Sequence, residues 1–192
     1  MAEYDIAFGE KLADTARLVA AEGLESLDAQ RTVLYLSLLS AEITLKAMLE
    51  HAGKPVSGIR ARSHRLADLL CDLGQCELEV IAGTKQYVSA SRLRGCPLQH
   101  GAAESTVGTV LDAQSEGASS YPNQIRYGDS LQHFPAEVVA QMASKVAAFA
   151  REHWHSLRIQ MAPSPSGSGR ATVCSQSRPP ISNPGSQKRT KR

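Results

Sequence analysis

Arg94 and His100 stand with five residues between them, Gly95-Cys96-Pro97-Leu98-Gln99. That pair of residue types can act on a phosphodiester without a metal. The histidine can move the proton of a ribose 2′-hydroxyl, and the arginine can stabilise charge on the phosphorus oxygens. The need for a 2′-hydroxyl would select RNA over DNA. The same two residues fit an ordinary loop equally well, because Pro97 and the glycine beside Arg94 interrupt any helix that would carry them.

Three further groupings carry chemistry. The run Arg60-Ala61-Arg62-Ser63-His64-Arg65-Leu66 gathers three arginines and a histidine at an expected helix start. Free backbone N–H groups point outward there, so a phosphate fits, although a solvated loop with Ser63 as the cap reads as well. Tyr35, Glu42 and Lys46 fall at i, i+7 and i+11, one polar stripe on an apolar helix. Glu42 and Lys46 are also an i,i+4 pair in the favourable order. The stripe is either a structural ion pair or a surface facing a ligand; charges partly buried in so apolar a helix require partners. Lastly, Tyr121-Pro122-Asn123-Gln124-Ile125-Arg126-Tyr127 presents Arg126 beside two tyrosines. Arg126 can pair with a carboxylate such as Glu42, or it can stack on and grip a nucleotide.

These groups need a scaffold, and the apolar spacing predicts helices. Residues 3–22 place Tyr4, Phe8, Leu12, Ala16 and Val19 on one face, with Gly23 as a stop. Residues 26–52 form the longest and most buried helix, capped by Ser26, with Leu34, Leu38, Ala41, Leu45, Met48 and Ala52 on one side. A loop at 54–62 leads to a short helix capped by Ser63 and carrying Leu66, Leu69, Leu70 and Leu73, ended by Gly74. A fourth helix is expected over 77–94, with Leu78, Ile81 and Val88 inward. Residues 95–133 are irregular; Val107–Leu111 is either a helical turn or a short extended piece. A last helix over 135–157 starts at Pro135 and repeats Val139, Met142, Val146, Phe149 and Leu157. The fold class expected is all-α, an antiparallel up-and-down bundle of about five helices.

Composition divides the chain in two. Residues 162–192 hold six of its 21 Lys and Arg and no acid, in a Ser, Pro and Gly context. That stretch cannot bury enough apolar surface to offset the entropy of ordering, so a disordered basic tail is expected after a folded domain of residues 1–161. The domain is left with 15 basic and 19 acidic residues, so the overall net charge of +2 belongs to the tail. Cysteines at 71, 76, 96 and 174 have no zinc or redox spacing and are expected to be free thiols, with no metal and no cofactor. The polar, acidic start Met1-Ala2-Glu3-Tyr4-Asp5 is unlike a signal peptide, and no apolar run approaches the ~20 residues that span a bilayer. A cytoplasmic protein without a membrane role is the expectation.

Taken in order, these pieces resemble the HEPN family, small helical domains named for nucleotide binding in higher eukaryotes and prokaryotes. Ala41-Glu42-Ile43-Thr44-Leu45-Lys46-Ala47-Met48-Leu49 resembles its central-helix pattern of an acid and a lysine four apart. Ser63-His64-Arg65-Leu66 resembles its Ser/Thr-His-Asp-Leu helix start, with Arg65 in place of the acid. Arg126-Tyr127 resembles its Arg-Tyr-Pro element, with Gly128 in place of the proline. The resemblance spans residues 5–157. It implies a bundle that homodimerises and binds RNA or nucleotide through Glu42, Lys46, His64, Arg126 and Tyr127. A toxin–antitoxin or defence setting and a nucleotidyltransferase-type partner are also implied. Some members are metal-independent ribonucleases using an arginine, four to six residues and a histidine, the spacing of Arg94 and His100. Two alternatives stand beside RNA or nucleotide binding: that endoribonuclease, and a helical protein-interaction module without ligand chemistry.

Overall fold

The computed structural model describes residues 2–79, 86–100, 103–116, 125 and 134–157. These residues build an all-α bundle with two small hairpin ladders.

Helix α1 (Ile6–Glu22) starts where Asp5 accepts a hydrogen bond from the Ala7 N–H and ends at Gly23, whose φ of 129° favours glycine. Its buried face is Gly9, Ala13 and Ala16. Of the expected face, Ala16 is buried and Tyr4 and Val19 pack against the core, but Phe8 is 49% exposed. The reason is the close approach of the next helix. A Cβ built on Gly9 would lie 2.4 Å from Thr44 Oγ1, and Ser40 Oγ donates to the Gly9 carbonyl at 2.7 Å. Only small side chains fit between the two axes, so the large ones turn to the flank.

Helix α2 (Leu27–His51) is capped by Ser26, which accepts from the Ala29 N–H at 3.0 Å. It is buried on most sides between α1, the helix over Leu66–Leu73 and the last helix. By length and composition α2 could cross a membrane, contrary to the expectation that no apolar run comes near. However, 72% of its most apolar window is buried within the bundle, as a core helix requires.

Residues 54–62 are not a plain loop. Pro55 leads into a short helix α3 (Val56–Ala61) whose Ile59 is buried. Helix α4 (Leu66–Leu73) buries Leu66, Leu69, Leu70 and Leu73, as the spacing predicts. Ser63 is not its cap: the preceding-residue position is Arg65, without a side-chain cap bond, and Ser63 adopts φ 51°. The Leu66 N–H is satisfied from a distance instead, by Gln114 Oε1 at 3.3 Å.

The expected helix over 77–94 is also corrected. Strands β1 (Glu77–Leu78) and β2 (Gln86–Tyr87) pair antiparallel, and among the described residues of this segment α5 (Ala90–Arg94) alone is helical. Val88 does point inward, while Ile81 lies outside the described residues. Strands β3 (Pro97–His100) and β4 (Ala103–Thr106) form a second hairpin and lead into α6 (Val107–Glu116), so Val107–Leu111 is helical. Thr106 and Thr109 exchange hydrogen bonds at this start, a reciprocal cap that explains it.

Helix α7 (Ala136–His153) buries Val139, Met142, Val146 and Phe149 against α2, and Leu157 is buried just beyond it. A main core joins these elements, and Ala13 of α1 packs with Ala143 and Ala147 of α7 in a small second cluster. Cys76 and Cys96 are free thiols; Cys71 is in a disulfide, which corrects the expectation for that residue.

Candidate functional site

The inner stretch of α2 is almost wholly apolar, yet it carries Glu42 and Lys46. Their side chains are 8% and 9% exposed. Lys46 Nζ donates to Glu42 Oε1 at 2.7 Å, and the other carboxylate oxygen, Oε2, lies 2.8 Å from His64 Nδ1. One carboxylate therefore serves a lysine on its own helix and a histidine 22 residues away. A buried ion pair is tolerable only when its remaining lone pairs are used, and His64 supplies that use.

His64 is positioned from three sides. The left-handed turn at Ser63 aims the chain back toward α2. Helix α4 begins just after it. Gln114, buried on α6, donates to the His64 carbonyl at 2.8 Å while accepting from Leu66. The imidazole itself stays 39% exposed. When the ring is neutral, the ionised carboxylate can only accept, so the proton sits on Nδ1 and the lone pair on Nε2.

The N-terminal residues cover the lysine side of this cluster. Lys46 Nζ lies 5.5 Å from the Tyr4 ring centroid, a cation–π contact. The N–H groups of Glu3 and Tyr4 donate to the Glu50 carboxylate, at 2.9 Å for the Tyr4 bond. Arg60 grips both oxygens of Glu3, through Nε at 2.9 Å and Nη2 at 2.6 Å. That hydrogen-bonded guanidinium holds the Glu3 carboxyl below its ordinary range. Burial, with the Glu3 carboxylate next, raises the Tyr4 phenol. Tyr4 also borders an open cleft of about 430 Å³ shared with Ile6, Glu50, His51 and Trp154. His51 and Trp154 stack there, ring centroids 4.1 Å apart and 15° from parallel.

The remaining arginines of the 60–66 run are committed to acids. Arg62 makes two bonds to Asp72, at 2.6 and 2.8 Å, and Arg65 meets Asp68 at 2.6 Å. The expected phosphate cradle of three arginines at a helix start is thus a set of one-to-one ion pairs. Of that run, Arg60 and His64 face the Glu42 and Lys46 side of the molecule.

Arg94 and His100 are set on different elements. Arg94 ends α5, packs over Gly108 and pairs with Asp112 on α6 at 2.6 Å. Pro97 opens β3 opposite Thr106, next to the start of α6, while the His100 backbone pairs with Ala103 at the hairpin's far end. Three strand steps, roughly 10 Å at ~3.3 Å per residue, separate those two ends. Arg126 and Tyr127 lie outside the described residues, as does the possible Arg126–Glu42 pair. Tyr35 lies two turns before Glu42 on α2.

The Glu42–Lys46 bond follows from local spacing, and His64 from its motif. Glu3, Tyr4, Glu50, Arg60's true partner and Gln114 were not visible in the sequence, because each works across a separation of 46 to 57 residues. Among the described residues no three His, Cys, Asp or Glu side chains converge as a metal site would need. The chain matches no protein-family model, no curated protein and no solved structure.

Proposed function

We propose that this chain is a HEPN-like helical domain that binds RNA or a nucleotide at the Glu42–Lys46–His64 cluster, acting as a homodimer in a toxin–antitoxin or defence setting. The observation that carries this reading is the meeting of Glu42, Lys46 and His64. Two come from a buried helix and one from a turn, and all are bonded through a single carboxylate. A bundle built only for stability gains little from such a cluster, since apolar residues of similar volume usually serve as well or better.

The surroundings fit a nucleotide. The cleft beside Tyr4 falls in the ~300–1,000 Å³ range of small-ligand sites and is walled by aromatic rings on which a base can stack. His64, oriented by Glu42 and 39% exposed, is the imidazole this reading assigns to a ribose hydroxyl or a phosphate oxygen. Arg126 and Tyr127 belong to the same proposed site on the strength of the resemblance. A partner of nucleotidyltransferase type is the proposed protein companion.

Titration of the full-length chain with labelled single-stranded RNA and with nucleotides, over a range of salt, tests the reading. Saturable binding that weakens in His64→Ala supports it. Binding equal in His64→Ala and wild type contradicts it.

A further inference from the structure

The sequence places Arg60 where an anion would be held, yet its fork is filled by an acid from the chain's own beginning. Both Glu3 oxygens are bonded, through the two nitrogens with which a guanidinium grips a phosphate. Lys46 adds its field to the same carboxylate, and the Tyr4 phenol lies against the pair. The backbone beneath is fixed independently, because Glu50 takes the Glu3 and Tyr4 N–H groups. The Glu3 side chain can therefore leave without unthreading residues 2–5.

We propose that Arg60 is the phosphate-binding residue of the site and that Glu3 occupies it in the unliganded chain, as a built-in competitor that an RNA or nucleotide phosphate displaces. This rests on the nucleotide-binding reading above and adds the group that meets the phosphate. The position is suitable: Arg60 joins Glu3, Glu3 adjoins Tyr4, and Tyr4 touches both Lys46 and the aromatic cleft. The pair is exposed, with Arg60 66% accessible, so its hold is weak enough for a phosphate to replace. Arg62 and Arg65 are unsuited to this role, because their acids, Asp72 and Asp68, belong to the neighbouring helix α4 and anchor it.

The test uses full-length protein, whose basic tail is then common to all variants, and two probes. The first is a fluorescent single-stranded oligoribonucleotide. Glu3→Gln should tighten its binding roughly two- to fivefold, the factor an exposed ion pair is worth. Arg60→Gln should weaken binding, and Glu3→Gln should have no effect in the Arg60→Gln background. Glu25→Gln removes an equal charge elsewhere and should leave affinity unchanged. The second probe is inorganic phosphate, followed by the Arg60 Nε–H resonance. That signal should respond at lower phosphate in Glu3→Gln than in wild type. Wild-type RNA binding that Glu3→Gln and Arg60→Gln leave unaltered overturns the competitor and spares the cluster. An Arg60 signal indifferent to phosphate in both proteins overturns the anion site. A phosphate response without RNA binding in any variant upholds the anion site and sinks the RNA reading.

Discussion

Glu42 and His64, 22 residues apart in the chain, meet at 2.8 Å between Oε2 and Nδ1, while the other Glu42 oxygen holds Lys46. The contact joins the most buried helix to a half-exposed imidazole. It is the point at which the interior of the bundle reaches its surface chemistry.

Breaking the buried pair from one side strands a charge. Glu42→Gln leaves Lys46 buried beside a neutral amide and should cost about 3–5 kcal/mol in urea unfolding. Replacing both, as Glu42→Leu with Lys46→Met, should recover most of that loss. A Glu42→Gln midpoint within error of wild type would show that the pair is solvated in solution.

Gly9 sits where α1 crosses α2. A methyl group there would meet Thr44 Oγ1 at 2.4 Å and the Thr44 N at 3.3 Å. Gly9→Ala should therefore destabilise by about 1–3 kcal/mol, although alanine is the better helix former. Thermal unfolding checks this; a gain in stability would mean that the helices cross further apart.

The Glu3 carboxyl is held low by its bonds to Arg60. A depressed folded-state pKa contributes stability above the unfolded value, about 4.5, and that contribution is lost as pH falls through the folded one. Carboxyl carbon NMR should place Glu3 below an ordinary glutamate, and Arg60→Gln should bring it back up. An unshifted Glu3 in the wild type would refute the ion pair.

The cysteines separate by environment. Burial raises the Cys76 thiol, whereas Cys96 is half-buried and its Sγ–H donates to the Arg92 carbonyl at 3.4 Å. The thiolate is the reactive form, so Cys96 should alkylate first at neutral pH and Cys76 only on unfolding. Raised above its unfolded value, Cys76 also costs the fold stability as pH climbs beyond about 9. Mass spectrometry after brief alkylation decides; equal labelling of the two would contradict the burial.

Much of the architecture was legible because long helices announce themselves by period. The core residues of α2, α4 and α7 were read from spacing alone. Helix α1 misled because periodicity weighs Phe8 and Leu12 above Gly9 and Ala13, while a close helix crossing selects the small residues. The 77–94 segment misled because β1 and β2 are two residues each, too short to show alternation. In the site, Glu42–Lys46 was legible since one helical turn fixes the spacing. Gln114 holding His64, and Glu3 filling Arg60, were not, because only the packed chain brings those residues together.

The most direct measurement is fluorescence anisotropy of labelled single-stranded RNA and nucleotide with full-length protein whose six tail cations are changed to glutamine, which removes non-specific attraction. The account predicts saturable binding that falls about tenfold or more in His64→Ala, with the fold retained by circular dichroism. No binding, or binding that His64→Ala leaves untouched, would contradict it.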